Sequence, residues 1–224
     1  MRLHERPCPH CGAPAGSTLA CLSCGALLDE PEGTQHYARV GVSPLEALDT
    51  DLLEARYLGL SRKLHPDHQP PGDAEAQLKA VQHIALLNEA YETLRDEQTR
   101  HEYLLELFHP GSLEEHKQLD PEFLMEAMEV DEELEQARED GCADTVARIA
   151  DMARAAIDER MAGVTEVCRE TMERIASAES EDDSDVTGVP RQLAAHWDTE
   201  EIATLLHQAR VYRRILRDTQ GARR

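Results

Sequence analysis

Residues 51–94 read DLLEARYLGLSRKLHPDHQPPGDAEAQLKAVQHIALLNEAYETL, and the fold follows from this stretch. Leu53, Tyr57, Leu60 and Leu64 recur at i, i+4, i+7 and i+11, which lines them along one face of a helix. His65-Pro66-Asp67 ends that helix, because a residue preceding proline avoids the α region. The residues from Asp67 to Asp73, DHQPPGD, are dense in turn formers. A second helix is predicted over 73–94, with Val81, Ile84, Leu87, Tyr91 and Leu94 on its apolar side. The unit is therefore a helix, a proline-rich loop and a returning helix, packed antiparallel.

Further along, a short helix is expected over 98–108, and Pro110, Gly111 and Pro121 bracket a link. Three longer helices follow, over 121–140, 143–177 and 199–219. Val146, Ile149, Ala153, Ile157, Val164 and Cys168 mark the apolar face of the second of these. Ile202, Leu205, Ala209, Tyr212 and Leu216 mark that of the third. The run SAESEDDSD at 177–185 makes 177–190 an expected acidic, flexible loop. Upstream, 33–44 reads as a link, and 1–32 has too few large apolar residues to fold without a staple. No strand pattern is visible beyond the first 35 residues. The expected fold is all-α: a metal-stapled module at 1–32, a helical-hairpin domain at 33–111 and a three-helix bundle at 112–224.

The chain has 224 residues, enough for one large domain or two small ones and a module. Acids outnumber bases 45 to 23, and residues 112–185 alone carry 24 acids against 7 bases. A net charge of −22 repels phosphate and argues against nucleic acid as a partner. Hydrophobic residues make up 41%, too many for a wholly disordered chain. No apolar run approaches the ~20 residues a membrane helix needs. The N-terminal MRLHERPCPHCG lacks the apolar region of a secretory signal. A cytoplasmic protein with no membrane partner is expected. There thiols stay reduced, and paired cysteines hold metal rather than form disulfides.

Cys8 and Cys11 form one C-x-x-C, Cys21 and Cys24 another, and each pair is followed by a glycine. Two such turns complete a tetrahedron of thiolates. Zinc is the expected ion, in a structural role, since four sulfurs leave no open position. His10 is the only nearby substitute ligand and is not expected to bind. Redox-active thiols would be the rival reading, an enzyme in which the C-x-x-C pairs turn over; it needs a βαβ context that the sequence lacks. Cys142 and Cys168 read as semi-buried small residues.

On a helical wheel, Phe123, Ala127, Val130, Leu134 and Ala137 form a core stripe, while Leu124, Met125 and Met128 point away from it, among Glu129 and Glu132. Either another helix of the bundle covers these three apolar residues, or they form an interface. The acidic excess likewise has two readings, solubility of the outer faces or attraction to a basic partner.

His-Pro-Asp could be an incidental helix stop. A catalytic reading of His65 and Asp67 finds no nucleophile or orienting group nearby, and a loop tip excludes no water. A helix, an HPD loop and a returning helix resemble a J-domain. The resemblance extends to the HscB (Jac) family through HYARVGVSP at 36–44, LNEAY at 87–91, RHEYLLEL at 100–107 and above all DPEFLMEAMEVDEEL at 120–134. The tetracysteine module is similar to that of longer members. The resemblance implies a non-enzymatic co-chaperone of iron–sulfur cluster biogenesis. Such a protein binds an IscU-type scaffold and stimulates an HscA/DnaK-type chaperone ATPase. The implied chaperone-binding residues are His65, Pro66 and Asp67, with Arg56, Arg62 and Lys63 in support. Those implied for the scaffold are Leu124, Met125, Met128, Glu129 and Glu132, with Val211 standing where the family has an aromatic and Tyr212 beside it. A general protein-folding J-protein with another client is the alternative.

Overall fold

The computed structural model describes residues 6–44, 48–69, 72–177 and 197–221. The helices are α1 (His36–Val40), α2 (Thr50–Leu64), α3 (Ala74–Arg95), α4 (Glu97–Phe108), α5 (Ser112–Glu115), α6 (Pro121–Glu139), α7 (Ala143–Ser177) and α8 (Thr199–Gly221). A 3-10 turn, Pro66–His68, follows α2. Among the described residues the only extended pairing is two isolated bridges, Pro7 with Pro14 and Ala20 with Leu27. The fold is all-α, as expected. Of the expected acidic loop, only Ser177 is described, as the last residue of α7; the rest lies outside the described residues. No described helix is long and apolar enough to cross a membrane.

Aspartates set the helix starts. The Asp49 carboxylate accepts from the amides of Asp51 and Leu52, Asp73 from Ala76, and Asp120 from Glu122 and Phe123 with Pro121 in the first turn. Each such cap contributes about 1 kcal/mol by satisfying amides the helix itself leaves open.

The chain divides into two compact units, one ending at Arg100 and one beginning at His101. In the first, α2 buries Leu53, Leu60 and Leu64, the expected face. Tyr57 is half-buried and stacks on Tyr91 at a centroid distance of 4.0 Å. The α3 face is turned from expectation. Ala80, His83, Leu87, Ala90 and Leu94 are buried, whereas Val81 is 52% exposed. The physical reason is a second neighbour, because α3 packs against α1 and the cysteine-rich segment as well as α2. The supposed link 33–44 supplies α1, which buries Tyr37 and Val40.

Segment 15–20 is almost wholly buried and ties the N-terminal module to these helices. The Ser17 hydroxyl donates to Arg39 O at 2.5 Å, and the Thr18 amide to Ala38 O at 3.2 Å. Arg39 Nε donates to Glu30 at 2.8 Å, with both side chains largely shielded. Gly41 caps α1 at φ +83°, and a Cβ there would fall 1.6 Å from Gly16 O. No side chain fits that approach.

His83 is the buried polar centre of this packing, 2.9 Å through Nδ1 from Leu19 O. A neutral imidazole with its proton on Nδ1 donates to that carbonyl. Burial pushes its pKa below the ordinary 6.5, and Lys79 adds to this; the Leu19 carbonyl, Glu30 and Asp29 oppose it. The fold therefore holds His83 neutral while the unfolded chain takes up a proton near 6.5. Its contribution to stability is complete above pH 6.5 and is lost as pH falls through the depressed folded value. Denaturant unfolding between pH 7.5 and 5 should show falling stability, and His83→Gln should flatten that slope. An identical slope in the variant would show that His83 carries none of the dependence.

In the second unit, α7 and α8 form the main packed pair, and α6 lies against both. Ile149, Ala153, Ile157, Val164 and Cys168 are buried on α7, with Ile202, Leu206, Ala209, Tyr212 and Ile215 facing them from α8. Phe108 stacks on Trp197 at 4.7 Å, and His207 Nε2 lies 2.8 Å from Leu113 O.

Candidate functional site

The two C-x-x-C segments are built alike. In the first, the Cys8 amide donates to Ala13 O (2.7 Å) and the Gly12 amide to Cys8 O (2.8 Å). In the second, the Cys21 amide donates to Ala26 O (2.9 Å) and the Gly25 amide to Cys21 O (2.8 Å). Gly12 and Gly25 take φ of +73° and +78°, which explains the glycine after each pair. The turns bring Cys8 Sγ to 3.7 Å from Cys24 Sγ and Cys11 Sγ to 3.8 Å from Cys21 Sγ, and all four sulfurs lie within 4.8 Å of one another. This cluster has the chemistry to hold a metal ion. The His10 amide points to Cys8 Sγ at 3.4 Å, but its ring is no part of the cluster.

The thiols share their protons unevenly. Burial works against ionisation of Cys21, but hydrogen bonds from the Cys24 and Ser23 amides and from neighbouring thiols outweigh it and bring its pKa to about 6. Cys11 rises to about 12: the Ala13 amide favours its thiolate, but desolvation and the surrounding sulfurs prevail. Cys142 is exposed, contrary to expectation, with its thiol held below the ordinary value chiefly by the Thr145 hydroxyl. Cys168 is buried, which pushes its thiol up to about 12.

His65, Pro66 and Asp67 form an exposed corner between α2 and α3. His65 leaves the helix with extended backbone (φ −60°, ψ 132°), and its Nδ1 accepts the Asp67 amide at 3.2 Å. The Asp67 carboxylate lies 3.7 Å from Nδ1 and is 87% exposed. Gln69 closes the corner from beneath, its Nε2 donating to Lys63 O at 3.1 Å. Arg62 is exposed, and Arg56 and Lys63 are half-buried on the same helix. The corner is hydrogen-bonded, polar and open to solvent, suited to docking and not to chemistry that must exclude water.

On α6 the wheel holds. Phe123, Ala127, Leu134 and Ala137 are buried, and Val130 is half-buried. Leu124, Met125 and Met128 are 42%, 61% and 61% exposed, so no described helix covers them. Asp131 and Glu133 of this helix pair with Arg214 and Arg148. Glu129 and Glu132 have no ion-pair partner among the described residues. Val211 is half-buried on α8. Tyr212 is not on the open surface: it is buried, edge-on to Phe123 at 5.7 Å and under the Arg160 guanidinium at 4.9 Å. The i+1 position on a helix turns it by about 100° from Val211, into the core.

A family model described as "DnaJ domain" matches residues 35–103, and one described as "HSCB C-terminal oligomerisation domain" matches residues 119–181. Taken together, the two matches make the chain similar to HscB proteins. It is 42% identical over 103 residues to the co-chaperone protein HscB homolog of Vibrio cholerae serotype O1 (strain M66-2), a match that takes in 46% of this chain and 59% of that one. Its fold is similar to the crystal structure of human co-chaperone protein HscB, at 24% identity and a TM-score of 0.67, covering 96% of both chains. It is also similar to the chaperone HscB from Vibrio cholerae, at 25% identity and a TM-score of 0.54, covering 84% of this chain and 96% of that one.

The sequence reading missed how the module is held. Ser17, Leu19, Arg39 and His83 make those contacts across separations of 22 to 64 residues, and no local pattern encodes them. Gly41, flanked by α1, was the one available hint of a close backbone approach.

Proposed function

We propose that this protein is a co-chaperone of iron–sulfur cluster biogenesis. His65, Pro66 and Asp67, with Arg56, Arg62 and Lys63, dock on the ATPase of an HscA/DnaK-type chaperone. Leu124, Met125, Met128, Glu129 and Glu132, with Val211, hold an IscU-type scaffold, and Tyr212 backs that face from the core. The division along the chain is a metal module at 1–32, a J-domain at 33–111 and a scaffold-binding region at 112–224. The observation that carries the reading is the open face of α6: three large apolar side chains exposed beside two carboxylates that have no ion-pair partner among the described residues, on a chain that also presents the HPD corner. The two family-model matches and the similarity to an HscB homolog support it. Carrying both partners on one chain raises the effective concentration of scaffold at the chaperone, with no bond made or broken by this protein.

The ion we propose for the four thiols is zinc. A tetrahedron with zinc–sulfur distances of about 2.3 Å has edges of about 3.8 Å, and the two closest sulfur pairs stand at 3.7 and 3.8 Å. Held by Cys8, Cys11, Cys21 and Cys24, zinc would cross-link a segment too small to fold by burial alone. One zinc per chain should survive dialysis and block titration of four of the six thiols. More than two freely titrating thiols in the folded protein would refute the assignment, since only Cys142 and the buried Cys168 lie outside the cluster.

The functional test is the ATPase rate of the cognate HscA-type chaperone with this protein, with the IscU-type scaffold, and with both. A rate with both far above the sum of the separate effects is expected. Stimulation indifferent to the scaffold would move the function to general folding.

A further inference from the structure

The two C-x-x-C-G turns are alike in themselves and unlike in their surroundings. A Cβ placed on Gly12 meets nothing within 4 Å, whereas one on Gly25 lies 3.8 Å from Lys63 Cγ. The second turn thus sits against the last turn of α2, two residues before His65. Successive Cα atoms are about 3.8 Å apart, so Lys63 and His65 are within about 8 Å of each other. Ser23 and Cys24 are exposed and Leu22 and Gly25 half-buried, so the open side of this turn adjoins the surface that carries the HPD corner.

A stable protein interface takes about 800 Å² from each partner, a disc of about 16 Å radius. A footprint of that size centred on His65–Asp67 reaches as far as the turn. The turn is also a suitable contact. Its backbone is fixed by the Gly25–Cys21 and Cys21–Ala26 hydrogen bonds, so little freedom is lost on docking. Its closeness to the stem of Lys63 limits that side chain in the same way, and the ammonium has no ion-pair partner among the described residues.

We infer that the turn Cys21–Gly25 belongs to the docking face for the ATPase that grips the HPD corner; this rests on the function proposed above. Ser23 is the contact residue at its tip, and Gly25 is the position that seats Lys63. The metal module is then part of how the partner is chosen as well as a staple for its own fold.

The test measures affinity of the full zinc-loaded chain for the cognate HscA-type chaperone by calorimetry. Three single variants are compared, Ser23→Glu, His10→Glu and His65→Gln. His10 is exposed on the first turn, so His10→Glu makes a matching substitution there. Ser23→Glu should weaken binding at least tenfold and His10→Glu less than twofold, with metal content and melting temperature unchanged in both. Wild-type affinity in Ser23→Glu, with His65→Gln weakened, places the turn outside the footprint and overturns the inference while the HPD reading stands. Equal losses in Ser23→Glu and His10→Glu overturn it as well, since the effect is then one of charge alone. Wild-type affinity in His65→Gln overturns the underlying reading. If Ser23→Glu lowers metal content, Ser23→Trp, which adds bulk without charge, replaces it with the same outcomes.

Discussion

His65→Gln should abolish stimulation of the chaperone ATPase while scaffold binding stays at its wild-type value. The imidazole is tied into the corner it caps. Its Nδ1 accepts the Asp67 amide at 3.2 Å and holds the ring 3.7 Å from the Asp67 carboxylate, on a backbone already set by Pro66. Glutamine has a flexible side chain and its acceptor is an oxygen at another distance from the backbone, so the corner loses its fixed presentation. His65 is half exposed, and a surface exchange of this kind changes stability by roughly 0.5 kcal/mol or less. The loss is therefore functional and not structural. Steady-state ATPase assays alongside scaffold titration check it, with circular dichroism as the folding control. Joint loss of both functions in a folded variant would refute the separation of the two surfaces.

Both candidate surfaces were legible in the sequence because their motifs are local. The HPD corner is written in three consecutive residues between two helical periods, and the α6 face in two stripes about 100–200° apart on one wheel. The cysteine quartet is local in the same sense, since each turn is closed by hydrogen bonds within six residues. What stayed hidden is what depends on a third element. Periodicity assigned Val81 and Ile84 to the core because it assumes one partner per helix. The cysteine-rich segment instead draws Ala80 and His83 inward, and Val81 faces out. A five-residue helix such as α1 holds barely more than one turn, too short for a period to be read, and its burial of Tyr37 and Val40 comes from α3 and the module. The burial of Tyr212 was undecided for a related reason, as residues 211 and 212 differ by one step on the helix and only the position of α6 tells core from surface.

The second large effect concerns the open face of α6. Replacing Leu124, Met125 and Met128 together by alanine should lower affinity for the IscU-type scaffold by roughly a hundredfold or more, taking about 1 kcal/mol for each truncated contact and about 1.4 kcal/mol per tenfold. The same triple variant should fold normally. All three side chains are 42–61% exposed, so little burial is lost, and alanine is the strongest helix former. Stimulation of the ATPase by the variant alone should persist, because the HPD corner is untouched, while the extra rate seen with scaffold disappears. Glu129 and Glu132 enter differently. Lacking ion-pair partners among the described residues, they are available to a basic surface, and Glu129→Gln with Glu132→Gln should reduce the salt dependence of binding more than the affinity at high salt. The two variants thus divide the face into an apolar contact that sets how long the complex lasts and a charged margin that sets how fast it forms. Calorimetry at low and high salt separates them, and a triple alanine variant that binds scaffold as the wild type does would remove α6 from the interface.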